Sequence, residues 1–228
     1  MQISKKRKST IDKVEKGKLY LLSEAAQLVK QVNTANFDAS IDLHIRLGID
    51  PRKADQALRG SVSLPNGSGK TKTVLVFCNS DKEKEAKEAG ADFVGLQDMI
   101  DKVQGGWTNV DVVIATPDVM GKVAKLGRIL GPRNLMPNPK VGTVTNDVAN
   151  AVTEVKKGKV SFRVDKYGII HSSIGRVSFS VEQIEQNADA LLQILAKMKP
   201  SSAKGIYFKS VHMASTMSPG IAIDSKLY

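Results

Sequence analysis

The sequence predicts an α/β domain inserted into an α+β domain, and three observations carry that prediction. Both outer parts of the chain alternate apolar and polar residues, the period of a half-buried strand. The middle instead holds continuous apolar runs, of the kind buried on both faces of a parallel sheet. Between the first outer part and the middle, residues 64–70 read Leu-Pro-Asn-Gly-Ser-Gly-Lys, a turn-rich composition that marks a boundary.

The elements follow in order. Residues 1–18 carry Lys5, Lys6, Arg7, Lys8, Lys13, Lys16 and Lys18 against Asp12 and Glu15, which reads either as a basic arm that orders on RNA or as a solvated tail. Ser23 is positioned to cap a helix in which Ala26, Val29 and Val32 recur at three-residue steps. Residues 40–47 alternate strictly, with Ile41, Leu43, Ile45 and Leu47 on one face and His44 and Arg46 on the other. Phe37, just before this strand, is either a core residue or an exposed base contact. The apolar run 74–78 predicts a buried strand, with Cys78 as a buried thiol. Ser80 and Glu83 then have the spacing of a capping box, and Gly90 closes the helix, whose exposed face pairs Glu83 with Lys87 and Lys84 with Glu88. A second apolar strand, 110–115, precedes Pro117. A later helix with Val148, Ala151, Val152 and Val155 on one face ends near Gly158, which completes the strand–helix–strand–helix order of a small three-layer unit. Alternation returns at Val160, with a hairpin turned at Asp165-Lys166-Tyr167-Gly168. Ser180 and Gln183 cap an amphipathic helix striped by Ile184, Leu191, Leu192, Leu195 and Met198, and a last strand spans 206–213.

Charge and composition bound the function. Lys plus Arg outnumber Asp plus Glu by 34 to 23 in 228 residues, and a net charge of +11 points to a polyanionic partner, usually nucleic acid. The positive residues cluster. From residue 119 to 146 the chain carries Lys122, Lys125, Arg128, Arg133 and Lys140 with no acid, while Gly131, Pro132, Pro137, Pro139 and Gly142 force turns. Such a rigid, basic, irregular loop suits phosphate; the plainer alternative is a proline-locked turn that braces its own domain. Aromatic residues make up 5% of the chain, too few for a broad base-stacking platform, so shape and backbone contacts to a folded RNA fit better.

No catalytic, cofactor-binding or metal-ligating set emerges. Gly67-Ser68-Gly69-Lys70-Thr71 lacks the earlier glycine of a phosphate-binding loop, since Leu64 stands there, and it precedes its strand rather than following it. No dinucleotide fingerprint follows either apolar strand. His44, His171 and His212 have no metal-pair spacing, and with the single Cys78 they predict no zinc site and no disulfide. The first ten residues are charged and lack the apolar region of a signal peptide, and no stretch has the ~20 apolar residues of a membrane span. The expectation is a cytoplasmic, non-enzymatic protein without membrane contact.

Residues 130–144, Leu-Gly-Pro-Arg-Asn-Leu-Met-Pro-Asn-Pro-Lys-Val-Gly-Thr-Val, closely resemble the signature of the ribosomal protein L-one family of the large subunit, bacterial type. The resemblance runs through Leu47-Gly48-Ile49-Asp50-Pro51-Arg52-Lys53, Arg59-Gly60, Leu64-Pro65, Asp165-Lys166, Gly168-Ile169-Ile170-His171 and Ser215-Thr216-Met217. It implies a discontinuous rRNA-binding α+β domain from residues 1–66 and 159–228, and an inserted Rossmann-like α/β domain from 67–158, joined by two hinge linkers. It further implies that Phe37, Ser40, Asp165, Lys166, Ser210, Thr216 and Met217 bind the 23S-type rRNA of the mobile exit-site stalk. Lys122, Arg128, Arg133 and Lys140 are the candidate contacts to exit-site tRNA or further rRNA. The implied roles are ribosomal constituent, help in releasing deacylated tRNA, and repression of translation from its own operon mRNA, by a protein that is a monomer off the ribosome. A dedicated repressor acting off the ribosome and a nucleotide-dependent enzyme are the rival readings. Three positions depart from the family pattern: Asn36 where lysine is usual, Asn134 inside the signature, and Ser218 where glycine follows Thr-Met. Asparagine tolerates a left-handed φ, so the turn at Asn134 survives its glycine's loss.

Overall fold

A computed structural model describes residues 5–15 and 17–225 and divides the chain into two compact units, 1–69 with 160–228 and 70–159. Of the basic opening segment, residues 1–4 and Lys16 lie outside the described residues, and the rest begins with helix α1 (Lys5–Ile11).

The first unit is a four-stranded antiparallel sheet backed by two helices. Its strand order is β7 (Ile169–Arg176), β1 (Ser40–Leu47), β8 (Phe208–Ser215), β9 (Ile221–Ile223). The alternation of β1 decides which face is inside. Ile41, Leu43, Ile45 and Leu47 are buried, and they share a core with Ala26 and Val29 of α2 (Leu22–Gln31) and Ile184, Leu191 and Leu195 of α8 (Val181–Lys197). Removing such aliphatic side chains from water is the main force holding the unit together, at roughly 1.5–3 kcal/mol each. The predicted capping box of α8 is present: Gln183 N–H donates to Ser180 Oγ at 3.2 Å, and Ser180 N–H to Gln183 Oε1 at 3.0 Å.

Several local expectations shift. Ser23 does not cap α2, because the cap falls two residues earlier at Leu21, the helix starts at Leu22, which the core buries, and Glu24 accepts the Leu21 N–H. Asp165-Lys166-Tyr167-Gly168 does turn the chain, but the hairpin extends only to the bridge between Val164 and Ile170. The preceding strand β6 (Lys159–Arg163) leaves it to pair with β2 (Arg59–Ser63) in a separate two-stranded ribbon. Neither β2 nor the short β9 carries enough alternation to have been read from sequence. Asn187 of α8, fully buried, holds the end of the first chain segment. Its Oδ1 accepts Asn66 N–H at 3.0 Å, and its Nδ2 donates to Gly67 O at 2.9 Å and Ile174 O at 2.7 Å.

The second unit is a three-layer α/β sandwich around the parallel sheet β4 (Phe93–Gly95), β3 (Val74–Phe77), β5 (Val112–Ala115), with β3 central. Every residue of β3 is buried because both faces are covered. Val74 and Val76 pack with Ala86 of α3 (Ser80–Glu88) and Val148, Val152 and Val155 of α7 (Val148–Lys156). Leu75 and Phe77 pack on the other side with Ile100 and Val103 of α4 (Gln97–Gln104), Val123 of α5 (Met120–Val123) and Leu130 of α6 (Gly127–Leu130). Ser80 is the first residue of α3 and Asn79 its cap, so the expected Ser80–Glu83 box does not form. At the other end Gly90, with φ +91°, donates to Lys87 O while Ala91 donates to Ala86 O, the paired bonds of a left-handed helix stop. Cys78 is buried, and burial first, then Glu83, pushes its thiol pKa up.

Candidate nucleic-acid interface

The seven residues implicated in rRNA binding all lie in the first unit, where the ladder registers place them at two ends of one sheet face. Ser40 opens β1, and its carbonyl accepts Thr216 N–H at 3.1 Å, so Thr216 and Met217 sit at the same corner as Ser40 and the preceding Phe37. Asp165 and Lys166 lie at the opposite end, where Leu47 N–H donates to Gly168 O at 2.8 Å and Arg46 pairs with Ile169. Ser210 is the cross-strand partner of Arg46 on β8, which puts it near that second end. Six residues of β1 separate the ends, roughly 20 Å at the usual strand rise.

The first corner presents apolar groups to solvent from a tied-down backbone. Phe37 is 61% exposed and Met217 81%. The reading of Phe37 as a core residue is thereby overturned: Ala39 faces inward instead and is fully buried. Asp38 fixes the Phe37 turn, its carboxylate accepting Ser178 N–H and Ser178 Oγ–H, both at 3.0 Å, and its carbonyl accepting Arg176 Nη1 at 2.8 Å. Asn36 is exposed beside it and supplies no charge. Met217 adopts φ +69°, a left-handed conformation that costs a non-glycine residue energy. The turn that holds it is closed by Ser218, whose N–H donates to Ser215 O at 3.0 Å and whose Oγ accepts Ser215 N–H at 2.8 Å. The Ser218 side chain is therefore committed to the turn.

At the second end, Asp165 organises its own turn. Its Oδ1 accepts Tyr167 N–H and Ile169 N–H, both at 2.8 Å, and Gly168 supplies the left-handed φ of +79°. Burial pushes the Asp165 carboxyl pKa up, but the bonds from Ile169 and Tyr167 outweigh it, and the net shift is downward. Lys166 and Tyr167 project from this turn, with Lys166 Nζ 5.1 Å from the ring centroid of Tyr167. Tyr167 is 68% exposed and belongs with the candidate contacts. Its exposure is invisible in sequence, because a tyrosine in a hairpin turn reads as punctuation.

The second unit carries the four basic candidates. Lys122 on α5, Arg128 on α6, and Arg133 and Lys140 in the following turns are all exposed. The first half of this basic segment is helical rather than irregular: Val123, Leu126 and Leu130 need an inward face, and short helical turns provide it. The second half is irregular as expected. Asn134 takes φ +56°, and Leu135 N–H donates to Leu130 O at 3.0 Å. Asn138 Oδ1 accepts Lys140 N–H at 2.8 Å, and Gly142 adopts φ +75°. Thr143 O accepts Ala115 N–H, which stitches the segment to the end of β5. The segment thus both braces its unit and displays cations.

The strand histidines, unremarkable in sequence, meet in space. His44 pairs with His171 across β7 and with His212 across β8. Among the described residues, no group of three His, Cys, Asp or Glu is arranged to hold a metal ion. No described helix is long and apolar enough to cross a membrane.

Comparison with known proteins finds relatives over nearly the whole chain. Residues 29–219 match the model of the ribosomal protein L1p/L10e family. The chain is 57% identical over 225 residues to the large ribosomal subunit protein uL1 of Porphyromonas gingivalis, an alignment covering 99% of this chain and 97% of that one. It is 58% identical over 225 residues to the uL1 protein of Bacteroides thetaiotaomicron, with 99% and 97% covered. With the uL1 protein of Christiangramia forsetii the identity is 56% over 227 residues, covering 100% and 98%.

Proposed function

The chain belongs to the ribosomal protein L1p/L10e family and is a non-enzymatic structural constituent of the large ribosomal subunit in the cytoplasm, and from that premise we propose that its first unit grips the rRNA of the mobile exit-site stalk. The observation that carries this reading is the corner where Phe37, Ser40, Thr216 and Met217 come together, two exposed apolar side chains on a backbone locked by hydrogen bonds. An aromatic ring held in place loses little freedom on binding, and stacking a base on it is worth ~1–3 kcal/mol. Asp165, Lys166 and Ser210 form a second contact at the far end of the same face. A net charge of +11 supplies the long-range attraction.

The exposed cations Lys122, Arg128, Arg133 and Lys140 serve a different RNA in this reading, the deacylated tRNA leaving the exit site. They are charges without an aromatic partner, suited to backbone phosphate rather than to base recognition. Repression of its own operon mRNA needs no further site: a messenger segment folded like the stalk would compete for the first unit's face.

Equilibrium binding to isolated stalk RNA, against a shuffled RNA and across a salt series, tests the proposal. Specific recognition predicts a preference for the stalk that survives raised salt, since purely electrostatic affinity falls by ~10³–10⁵ between 50 and 200 mM salt for 6–10 phosphate contacts. Equal affinities that collapse together would remove the assigned site.

A further inference from the structure

We propose that His44, His171 and His212 form a phosphate-contacting row across the sheet, and that the protein takes up a proton there when it grips RNA. This rests on the rRNA-binding reading of the first unit and adds to it a contact and a pH dependence. Sequence places these residues on three separate strands. The ladder registers place them side by side, because His44 stands opposite His171 on β7 and opposite His212 on β8.

Three features argue for a role in binding. The row lies on the outer face of β1, the face opposite the buried Ile41, Leu43 and Ile45. It also lies between the two groups of candidate contacts. An RNA that touches Ser40 and Thr216 at one end and Ser210 and Lys166 at the other must pass over it. Finally, the fixed positive charge of this strip sits toward its two ends. From β1 the facing charged groups are Asp42 and Arg46; β7 offers Ser173 and, opposite Ser40, Arg176, whose guanidinium is bonded to Asp38 O, with Asp165 in the turn before it; β8 offers Lys209, Ser210 and Ala214, and β9 Ala222 beside His212. Between those ends, the histidines are the groups on these strands able to become positive.

The proton chemistry follows from the ring contacts. His44 Nδ1 and His171 Nδ1 are 2.8 Å apart, so one nitrogen donates and the other accepts. The donating ring has a bare Nε2 and the accepting ring carries its proton on Nε2. A proton from solvent can therefore add at the bare Nε2 and leave the Nδ1–H···Nδ1 bond intact. A second would have to displace that bond, so the pair takes up one charge readily. Asp165 Oδ2, 3.7 Å from His171 Nε2, faces one end of the pair. In the free protein, burial and then His171 hold the His44 pKa below the ordinary imidazole value, with Asp42 opposing and His212 reinforcing the shift. His44 is thus harder to protonate than a free imidazole, and a phosphate laid over the row supplies the counter-charge that draws the proton in.

Two measurements on the full chain test this: affinity for isolated stalk RNA at pH 6, 7 and 8 at fixed ionic strength, and proton uptake by calorimetry in two buffers of different ionisation enthalpy. The wild-type protein should bind about three- to tenfold more tightly at pH 6 than at pH 8, with uptake approaching one proton. In His44→Gln/His171→Gln/His212→Gln, the pH dependence and the uptake should both vanish. A triple variant with the wild-type pH profile, or a wild type with no uptake, overturns the proposal. Should the triple variant unfold, His44→Gln/His171→Gln, which removes the bonded pair and keeps His212, must at least halve the uptake. Failure of the underlying reading looks different: the wild type would then bind stalk and shuffled RNA alike at every pH.

Discussion

The first unit shows its candidate contacts from an antiparallel sheet, the second from the turns that follow a parallel one, and the two solutions suit different targets. In the first, strand register and side-chain-to-backbone bonds hold each group in place. Asp38 pins the Phe37 turn, Ser218 closes the Met217 turn, and Asp165 closes the Lys166 turn. In the second, the backbone is equally tied, through Asn138 and Thr143, but the displayed groups are long flexible cations. Fixed aromatic and polar groups discriminate among RNA shapes; flexible cations bind phosphate wherever it lies. Selectivity should therefore reside in the first unit, and sequence-neutral attraction in the second.

The sharpest test of that contrast is Phe37→Ala. Losing a stacked base contact worth ~1–3 kcal/mol should weaken stalk binding by about fivefold to 150-fold. Because the ring is exposed, the melting temperature should stay within a degree or so of wild type. A large drop in melting temperature would mean that Phe37 supports the fold, and the comparison would lose its main pillar.

The next effect concerns the second unit alone. Asn134 sits at φ +56° in the basic turn. Asn134→Ala should destabilise that unit by ~1 kcal/mol, since alanine lacks the local hydrogen bonding that lets asparagine tolerate the left-handed region. Asn134→Gly should be neutral or slightly stabilising there. Thermal unfolding of the two variants checks both, and equal melting would show that the turn relaxes freely and displays its cations from a softer backbone than described.

How much of this was visible in sequence depended on what each residue's neighbours are. The β1 strand was legible with its faces, because strict alternation needs no partner to be read: Ile41, Leu43, Ile45 and Leu47 face inward as expected. The same is true of α8, whose Ser180–Gln183 box forms. Strands β4 and β9, of three residues each, are held by their neighbours rather than by any pattern of their own. The exposure of Phe37 and Tyr167 was open for the same reason, since the decision rests on Asp38 bonds and on a turn. Positions of the candidate contacts came from family resemblance, not periodicity. The histidine row was hidden entirely: its members are 127 residues apart in the case of His44 and His171, and only register unites them.

That row gives a smaller, pH-dependent effect on stability. The folded His44 pKa lies below its unfolded value, chiefly through burial. The unfolded state then binds more protons around and below pH ~6.5, so stability is full above that range and falls as pH drops through it. The half-exposed ring keeps the effect modest. Denaturant midpoints for wild type and His44→Gln should converge at low pH and separate as pH rises above it, if the glutamine costs its own packing. Parallel midpoints at all pH values would mean that His44 titrates alike in both states.

The smallest expected effect is the other half of the comparison. Arg133→Ala removes an exposed cation from the second unit, and binding to the isolated stalk should change by no more than about twofold, an amount typical of one screened surface charge. Its salt dependence on the stalk should also be unaltered, because a lost phosphate contact would lower the slope by ~0.9. On tRNA the same substitution should lower both affinity and slope. If Arg133→Ala instead weakens stalk binding as much as Phe37→Ala does, the stalk engages both units. The division of labour between a selective sheet and a neutral basic turn would then be wrong, whatever becomes of the individual residues.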